Sequence, residues 1–161
     1  MKRVVVADTG PILYLHLIAE IELLPALFGE VHLPVAVYRE LRHPAAPPEL
    51  RSWVLAAPSW LLIAPDTGLL DPETASLDAG ERAAVALAGA LRADLVLMDD
   101  RKGVRIALQK GFAVTGTLGI LDLAARRGLI DLAEAFKRLK ATNFRYRPQI
   151  MEEILKHYRN E

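Results

Sequence analysis

The sequence predicts an α/β fold of three layers, α-β-α, with helices on both faces of a mostly parallel central sheet of four or five strands. Three observations carry that reading. Short β-branched runs alternate with helix-length runs along all 161 residues, an order that buries itself as a parallel sheet with crossover helices. Two of the strand-like runs end in acid, at Asp8 and at Asp99-Asp100, and such folds hold ligands just beyond the carboxyl ends of their strands. No repeat, linker or low-complexity tract divides the chain, so one domain over 1–161 is expected.

The first strand is "RVVVA", Arg3–Ala7, short and β-branched. Thr9-Gly10-Pro11 then provides a cap and an early proline for a helix over Ile12–Leu24. Glu30–Pro34 reads as the second strand. Pro34 opens a short helix, Val35–His43, which Pro44, Pro47 and Pro48 stop, since proline cannot donate to the helical ladder. A helix at Glu49–Leu55 and a strand at Trp60–Ala64 follow. "PDTGLLDPETASL" has the proline, glycine and aspartate of a loop. Next come a helix at Gly80–Arg92, a strand at Leu95–Met98, and a helix at Lys102–Lys110 ended by Gly111. "FAVTG", Phe112–Gly116, is the last strand, and helices at Leu118–Arg127, Leu132–Lys140 and Pro148–Tyr158 complete the chain.

Composition narrows the chemistry. With no cysteine, disulfides, thiol catalysis and thiolate-bound zinc are excluded. A net charge of zero means that any anionic partner is met by a local patch rather than by bulk basicity. No apolar run approaches the ~20 residues that span a bilayer. "MKRVVVADTG" resembles a signal peptide for six residues and then meets Asp8, Gly10 and Pro11. A cytoplasmic protein without a membrane partner is expected.

Each acid has an ordinary role. Asp8 with Thr9 suits a helix cap. Asp78-Ala79-Gly80-Glu81 fits a capping box, whose Glu reaches back to the amide of the cap. Glu40 lies at the edge of the stripe made by Val37 and Leu41, within reach of His43. Glu81, however, shares the helix face of Ala84, Val85 and Ala88, which packs on the sheet and aims the carboxylate there. Carboxylates that converge repel one another unless protons or cations compensate. Oxygen-only donors suit Mg²⁺ or Mn²⁺, and the four histidines show no paired metal spacing.

With these residues in view, the chain resembles the PIN domain, a metal-dependent nuclease fold that includes toxin ribonucleases of VapC type. The likeness lies in Asp8-Thr9 of "VVVADTGP", in Pro34, Val37 and Glu40, in Glu81 where aspartate is commoner, and in Asp99 eighteen residues later. It covers nearly the whole chain. It is closest to a little-characterised subgroup with "LDxGE", "DDRKG" and "TGTLGIL", here Leu77–Glu81, Asp99–Gly103 and Thr115–Leu121. Leu97, Gly103 and Arg101 depart from the commoner toxin pattern, which has threonine, an aromatic and an acid at those places.

The resemblance implies that Asp8, Glu40, Glu81 and Asp99 are catalytic and hold one or two Mg²⁺ or Mn²⁺ ions, with Thr9 and Asp100 in support. It implies a single-stranded RNA substrate, a small antitoxin partner and a homodimer. "PILYLHLIAEIELLPALF" is either the apolar helix pair of that dimer or core. Arg101, Lys102 and Arg105 are candidate RNA contacts beside Asp99. "FKRLKATNFRYR", with five basic residues and no acid, either stacks bases on its aromatics or is a solvated helix face with those rings in the core; the second is preferred. In "VTGTLG" the preferred role of Thr117 is to cap the next helix. The departures at Leu97 and Gly103 also admit a catalytically weak or inactive RNA- or protein-binding module. A phosphorelay receiver and a dehalogenase-like phosphatase lack support, because the last strand carries no lysine and Gly10 stands where the second acid of Asp-x-Asp belongs.

Overall fold

The structure is a computed structural model and describes residues 3–159. Five short strands, β1 (Val5–Ala7), β2 (Val31–Pro34), β3 (Leu61–Ala64), β4 (Leu95–Leu97) and β5 (Val114–Thr115), form one sheet in the order β3-β2-β1-β4-β5. Every pairing is parallel, with Val6 beside both His32 and Val96. The helices are α1 (Thr9–Leu17), α2 (Leu23–Phe28), α3 (Val35–Leu41), α4 (Pro48–Leu55), α5 (Ala79–Leu91), α6 (Arg101–Gln109), α7 (Thr117–Arg126), α8 (Leu132–Lys140) and α9 (Pro148–Arg159). Among the described residues no helix is long and apolar enough to cross a membrane.

The strands are apolar on both sides because both sides are covered. Side chains alternate along a strand, so Val5, Ala7, Leu95 and Leu97 face one core while Val6, Val96 and Met98 face the other. The first core is the larger and takes in side chains from α1 to α4 and α7 to α9; α5 and α6 supply the second. Fully buried Leu97, Phe136 and Leu33 each contribute roughly 1.5–3 kcal/mol by leaving water.

The predicted helix over Ile12–Leu24 is two helices. Their junction is a left-handed turn at Ala19, φ 60°, in which the Glu20 amide donates to the Leu15 carbonyl at 2.8 Å and the Ala19 amide to that of His16 at 3.0 Å. This pattern ends a helix and normally carries glycine. Arg138 of α8 completes it, donating to the Ile18 carbonyl at 2.7 Å and to Glu20 at 2.9 Å. The apolar pattern runs on through the turn because Ile21, Leu23 and Leu24 also enter the core. Most of "PILYLHLIAEIELLPALF" is thereby spent inside the molecule, with Leu17 exposed. The last strand shrinks from five residues to Val114–Thr115, and Pro72–Thr74 makes a single 3-10 turn in the predicted loop.

The topology fixes where ligands are met. From β1 the chain moves outward to β2 and β3, then crosses back to place β4 on the other side of β1. The strand order reverses between β1 and β4, so the crevice of the fold opens beyond Ala7 and Leu97. Asp8 and Asp99 follow just after those residues.

The turn at Ala19 makes a prediction about stability. A side chain at that φ is strained where glycine is not, so Ala19→Gly should stabilise the protein by about 0.5–1 kcal/mol, read as a higher urea midpoint. A lower midpoint would contradict the assignment of the turn.

Candidate active site

Asp99 leaves the end of β4 and is held from the start of α7, just after the neighbouring strand β5. Its carboxylate accepts from the Thr117 amide and from the Thr117 hydroxyl, both at 2.7 Å. Thr117 is wholly buried. The expected role of Thr117 as a cap is therefore corrected. Its hydroxyl turns to Asp99, and α7, whose N-cap Gly116 has no side chain to give, takes its cap from a carboxylate eighteen residues away. A negative charge there also suits the positive end of the helix. Burial nevertheless holds the Asp99 carboxyl above its ordinary range, with the two Thr117 bonds working the other way.

Two glycines make room for this carboxylate. A Cβ on Gly116 would stand 2.5 Å from Asp99 Oδ1 and 3.2 Å from the Met98 carbonyl, and one on Gly10 would stand 2.8 Å from Asp99 Oδ2. The glycines of "DTGP" and "VTGT" thus wall the same side chain from β1 and β5.

Asp8 occupies the N-cap position of α1, yet its side chain makes no capping bond. Only 6% of the residue is exposed. Burial is the main reason that its carboxyl is pushed up to about 7; the Thr9 amide opposes, and the charges of Asp78, Glu40 and Asp99 add to the rise. Glu81 is also buried and rises to about 8, first through desolvation, then through a hydrogen bond with the Asp78 carboxyl and the charges of Asp78, Asp100 and Asp8. Half of the expected capping box forms: Asp78 accepts from the Glu81 amide at 2.8 Å, while the Glu81 carboxyl turns to the Asp78 side chain.

Glu40 stands apart from the other three. It is exposed and accepts from the Thr9 hydroxyl at 2.9 Å. A Cβ on Gly80 would meet Glu40 Oε2 at 2.8 Å and Asp8 Oδ1 at 3.3 Å, so Asp8 and Glu40 converge on the start of α5. Asp8, Glu81 and Asp99 line one cleft of about 970 Å³, whereas Glu40 lines an adjoining crevice of about 610 Å³ with Thr9 at their junction. The ordinary pairing of Glu40 with His43 does not form; His43 Nδ1 accepts from the Ala45 amide instead.

The remaining candidates divide. Asp100 is exposed, lines the cleft and caps α6, accepting from the Gly103 amide at 3.2 Å. Arg101 lines the cleft, while Lys102 and Arg105 are exposed on α6 outside that lining. Gly103 has a packing reason: a Cβ would come within 2.6 Å of Met98 Sδ and 3.5 Å of Glu81 Oε2. The same cleft is lined by Asn143, Arg145, Tyr146 and Arg147, from the basic stretch whose preferred reading is a solvated face with its rings in the core, and by Tyr14, which no sequence signal singles out. For Phe136 and Phe144 the core reading holds, and half-buried Tyr146 packs against the same core, but Arg145, Tyr146 and Arg147 also line the cleft. The Tyr14 phenol is raised by burial and by Asp99, with Arg145 opposing. A second cleft, of about 1020 Å³, lies against α5 and α6 under residues 66–75, with Lys110 paired to Asp71 and Glu73; it shares no lining residue with the acid cleft.

Among the described residues no three acids or histidines stand as a ready-made metal-ligating group. The donor set is all oxygen, desolvated, mutually repelling, and free of ion pairs to Asp8, Glu81 or Asp99 among the described residues. That chemistry fits a hard divalent cation. A family model described as a PIN domain matches residues 4–160. No curated protein matches the chain.

The raised carboxyls make stability depend on pH. In the metal-free protein Asp8 and Glu81 hold protons up to about 7 and about 8, while the unfolded chain gives them up at ordinary carboxylate values. The native state then binds more protons, so stability falls as pH rises through that window. Thermal unfolding in a chelator should show Tm falling between about pH 5 and about pH 8, with a shallower fall in Asp8→Asn. A Tm that is flat across the window in the parent would contradict the burial of these charges.

Proposed function

This chain belongs to the PIN-domain family, a fold of nuclease type, and on that premise we propose that it is a metal-dependent endoribonuclease. It hydrolyses phosphodiester bonds in single-stranded RNA, acts as the toxin of a toxin–antitoxin pair with a small antitoxin partner, and works as a homodimer. Its cation is Mg²⁺ or Mn²⁺, with Asp8, Glu81 and Asp99 as holders from the cleft and Glu40 joining them across Thr9. The observation that carries this reading is the meeting of desolvated carboxylates from β1, α5 and β4 in one cleft without a basic partner among the described residues. The toxin, antitoxin and dimer assignments rest on the likeness to VapC-type proteins.

When bound, the cation supplies a water of lowered pKa and offsets charge on the phosphoryl oxygens. The chain's own residues do the rest. Thr117 fixes the Asp99 carboxylate through two bonds, so its orientation does not depend on the substrate. Thr9 holds Glu40 towards Asp8. Gly10 and Gly116 keep Asp99 from being displaced. Arg101 puts a positive charge on a cleft that would otherwise repel a polyanion.

A second reading, an RNA- or protein-binding module without cleavage, draws on the absence of a ready-made ligand group among the described residues. The two differ in a cleavage assay. Single-stranded RNA incubated with Mn²⁺ or Mg²⁺ should be cut by the parent, and Asp8→Asn and Asp99→Asn should lower the rate by at least about 10²-fold while circular dichroism stays unchanged. Uncut RNA in the parent would favour the binding module, and full activity in both variants would end the assignment of these acids. Gly116→Ala should cost at least about tenfold in rate, since its Cβ would drive Asp99 from its seat; an unchanged rate would show that the seat does not matter.

A further inference from the structure

The acid cleft has a wall that the nuclease reading leaves without a task. Residues 141–147 connect α8 to α9, and they are fastened in a way that a mere connection does not need. Phe144 is buried and meets the Tyr14 ring edge-on, centroids 4.9 Å apart and planes at 78°. The Tyr14 hydroxyl donates to Asn143 Oδ1 at 3.1 Å. The Phe144 amide donates to the Thr142 hydroxyl at 3.1 Å, which in turn donates to the Leu139 carbonyl at 2.6 Å. With Phe144 driven inward, Arg145 and Arg147 are exposed on either side of half-buried Tyr146, and all three line the cleft that holds Asp8 and Asp99.

The charges there are unspent. The cleft has five carboxylates in its lining, from Asp8, Asp78, Glu81, Asp99 and Asp100, yet neither Arg145 nor Arg147 forms an ion pair among the described residues. Arg138 of the same basic stretch is, by contrast, committed to Ile18 and Glu20. A guanidinium left free beside acids suits phosphate, which it meets in a planar, two-bond geometry. An aromatic ring between two such groups adds a face on which any base can stack. A mononucleotide has one phosphate to offer; a polynucleotide presents a row.

We propose that Asn143–Arg147 is the element that grips the substrate strand, Arg145 and Arg147 taking backbone phosphates and Tyr146 a base, while Arg101 takes a further phosphate from the start of α6. The grip rests on the nuclease reading for its substrate, single-stranded RNA, and extends it by naming the residues that hold the strand. Its anchoring to α1 through Tyr14 means that the arginines are presented before the strand arrives, which lowers the ordering cost of binding.

The test separates the two layers. Fluorescence anisotropy of a labelled single-stranded RNA of about twelve nucleotides is followed with Asp99→Asn protein in Mg²⁺, at salt from about 50 to about 300 mM. On that background Arg145→Gln/Arg147→Gln should raise Kd at least about tenfold and lower the salt slope by about 1.4, at about 0.7 for each phosphate of the single strand that is no longer neutralised. Lys137→Gln/Lys140→Gln removes the same charge from exposed positions outside the cleft lining and should shift Kd less than about twofold. Equal Kd and slope in the arginine variant overturn the grip and leave the nuclease reading standing. Equal losses in the arginine and lysine variants reduce the effect to net charge and also overturn it. Failure of both the parent and the Asp99→Asn protein to bind RNA at all would overturn both.

Discussion

The structure turns on one electrostatic conflict. Parallel strands β1 and β4 end side by side, each followed by an aspartate that the fold takes out of water. Glu81 is added from the sheet-facing side of α5. Negative charges placed like this are costly without compensation. Inside the protein the compensation is partial: the amides of Thr9 and Thr117 and the Thr117 hydroxyl. The remainder is left to protons in the metal-free state, which is why Asp8 and Glu81 hold theirs to near neutrality. A site poised between protons and a divalent cation is the physical basis of the nuclease proposal.

Much of the surrounding backbone serves that conflict. Gly10, Gly80 and Gly116 stand where a methyl group would displace a carboxylate oxygen. Gly103 lets α6 settle against Met98 and Glu81, so the departure from an aromatic at that position has a local packing cause. The same crowding sets the helix starts. Asp78 and Asp100 cap α5 and α6 in the usual way, whereas α7 depends on Asp99, tying a structural cap and a candidate metal holder into one side chain.

The strand positions and the acids at their ends are legible in the sequence because both depend on short-range rules: β-branched runs, period-two burial, and ligand sites beyond strand ends. Each strand lies within a residue or two of its expected bounds and is shorter than its apolar run, β5 most of all. The break between α1 and α2 is hidden, since it uses alanine where glycine is usual and is completed by Arg138 from 118 residues away. The hydroxyl of Thr117 misleads for the same kind of reason. Its local pattern suits a cap, and only the tertiary arrival of Asp99 redirects it. Glu40 matches the family pattern but sits in an adjoining crevice, a separation that spacing along a helix cannot express. The tail of the basic stretch looks ordinary because Phe136 and Phe144 are indeed core; the alternation that exposes Arg145 and Arg147 has meaning only once Phe144 is seen to be anchored on Tyr14.

The central claim is that protons stand in for a divalent ion among these carboxylates. It is tested most directly by calorimetric titration of Mn²⁺ into the metal-free protein at neutral pH, repeated in two buffers of different ionisation enthalpy. The account predicts binding accompanied by proton release, with less release at a pH above the raised carboxyl values. Binding without any proton release, or no binding of Mn²⁺, would contradict it.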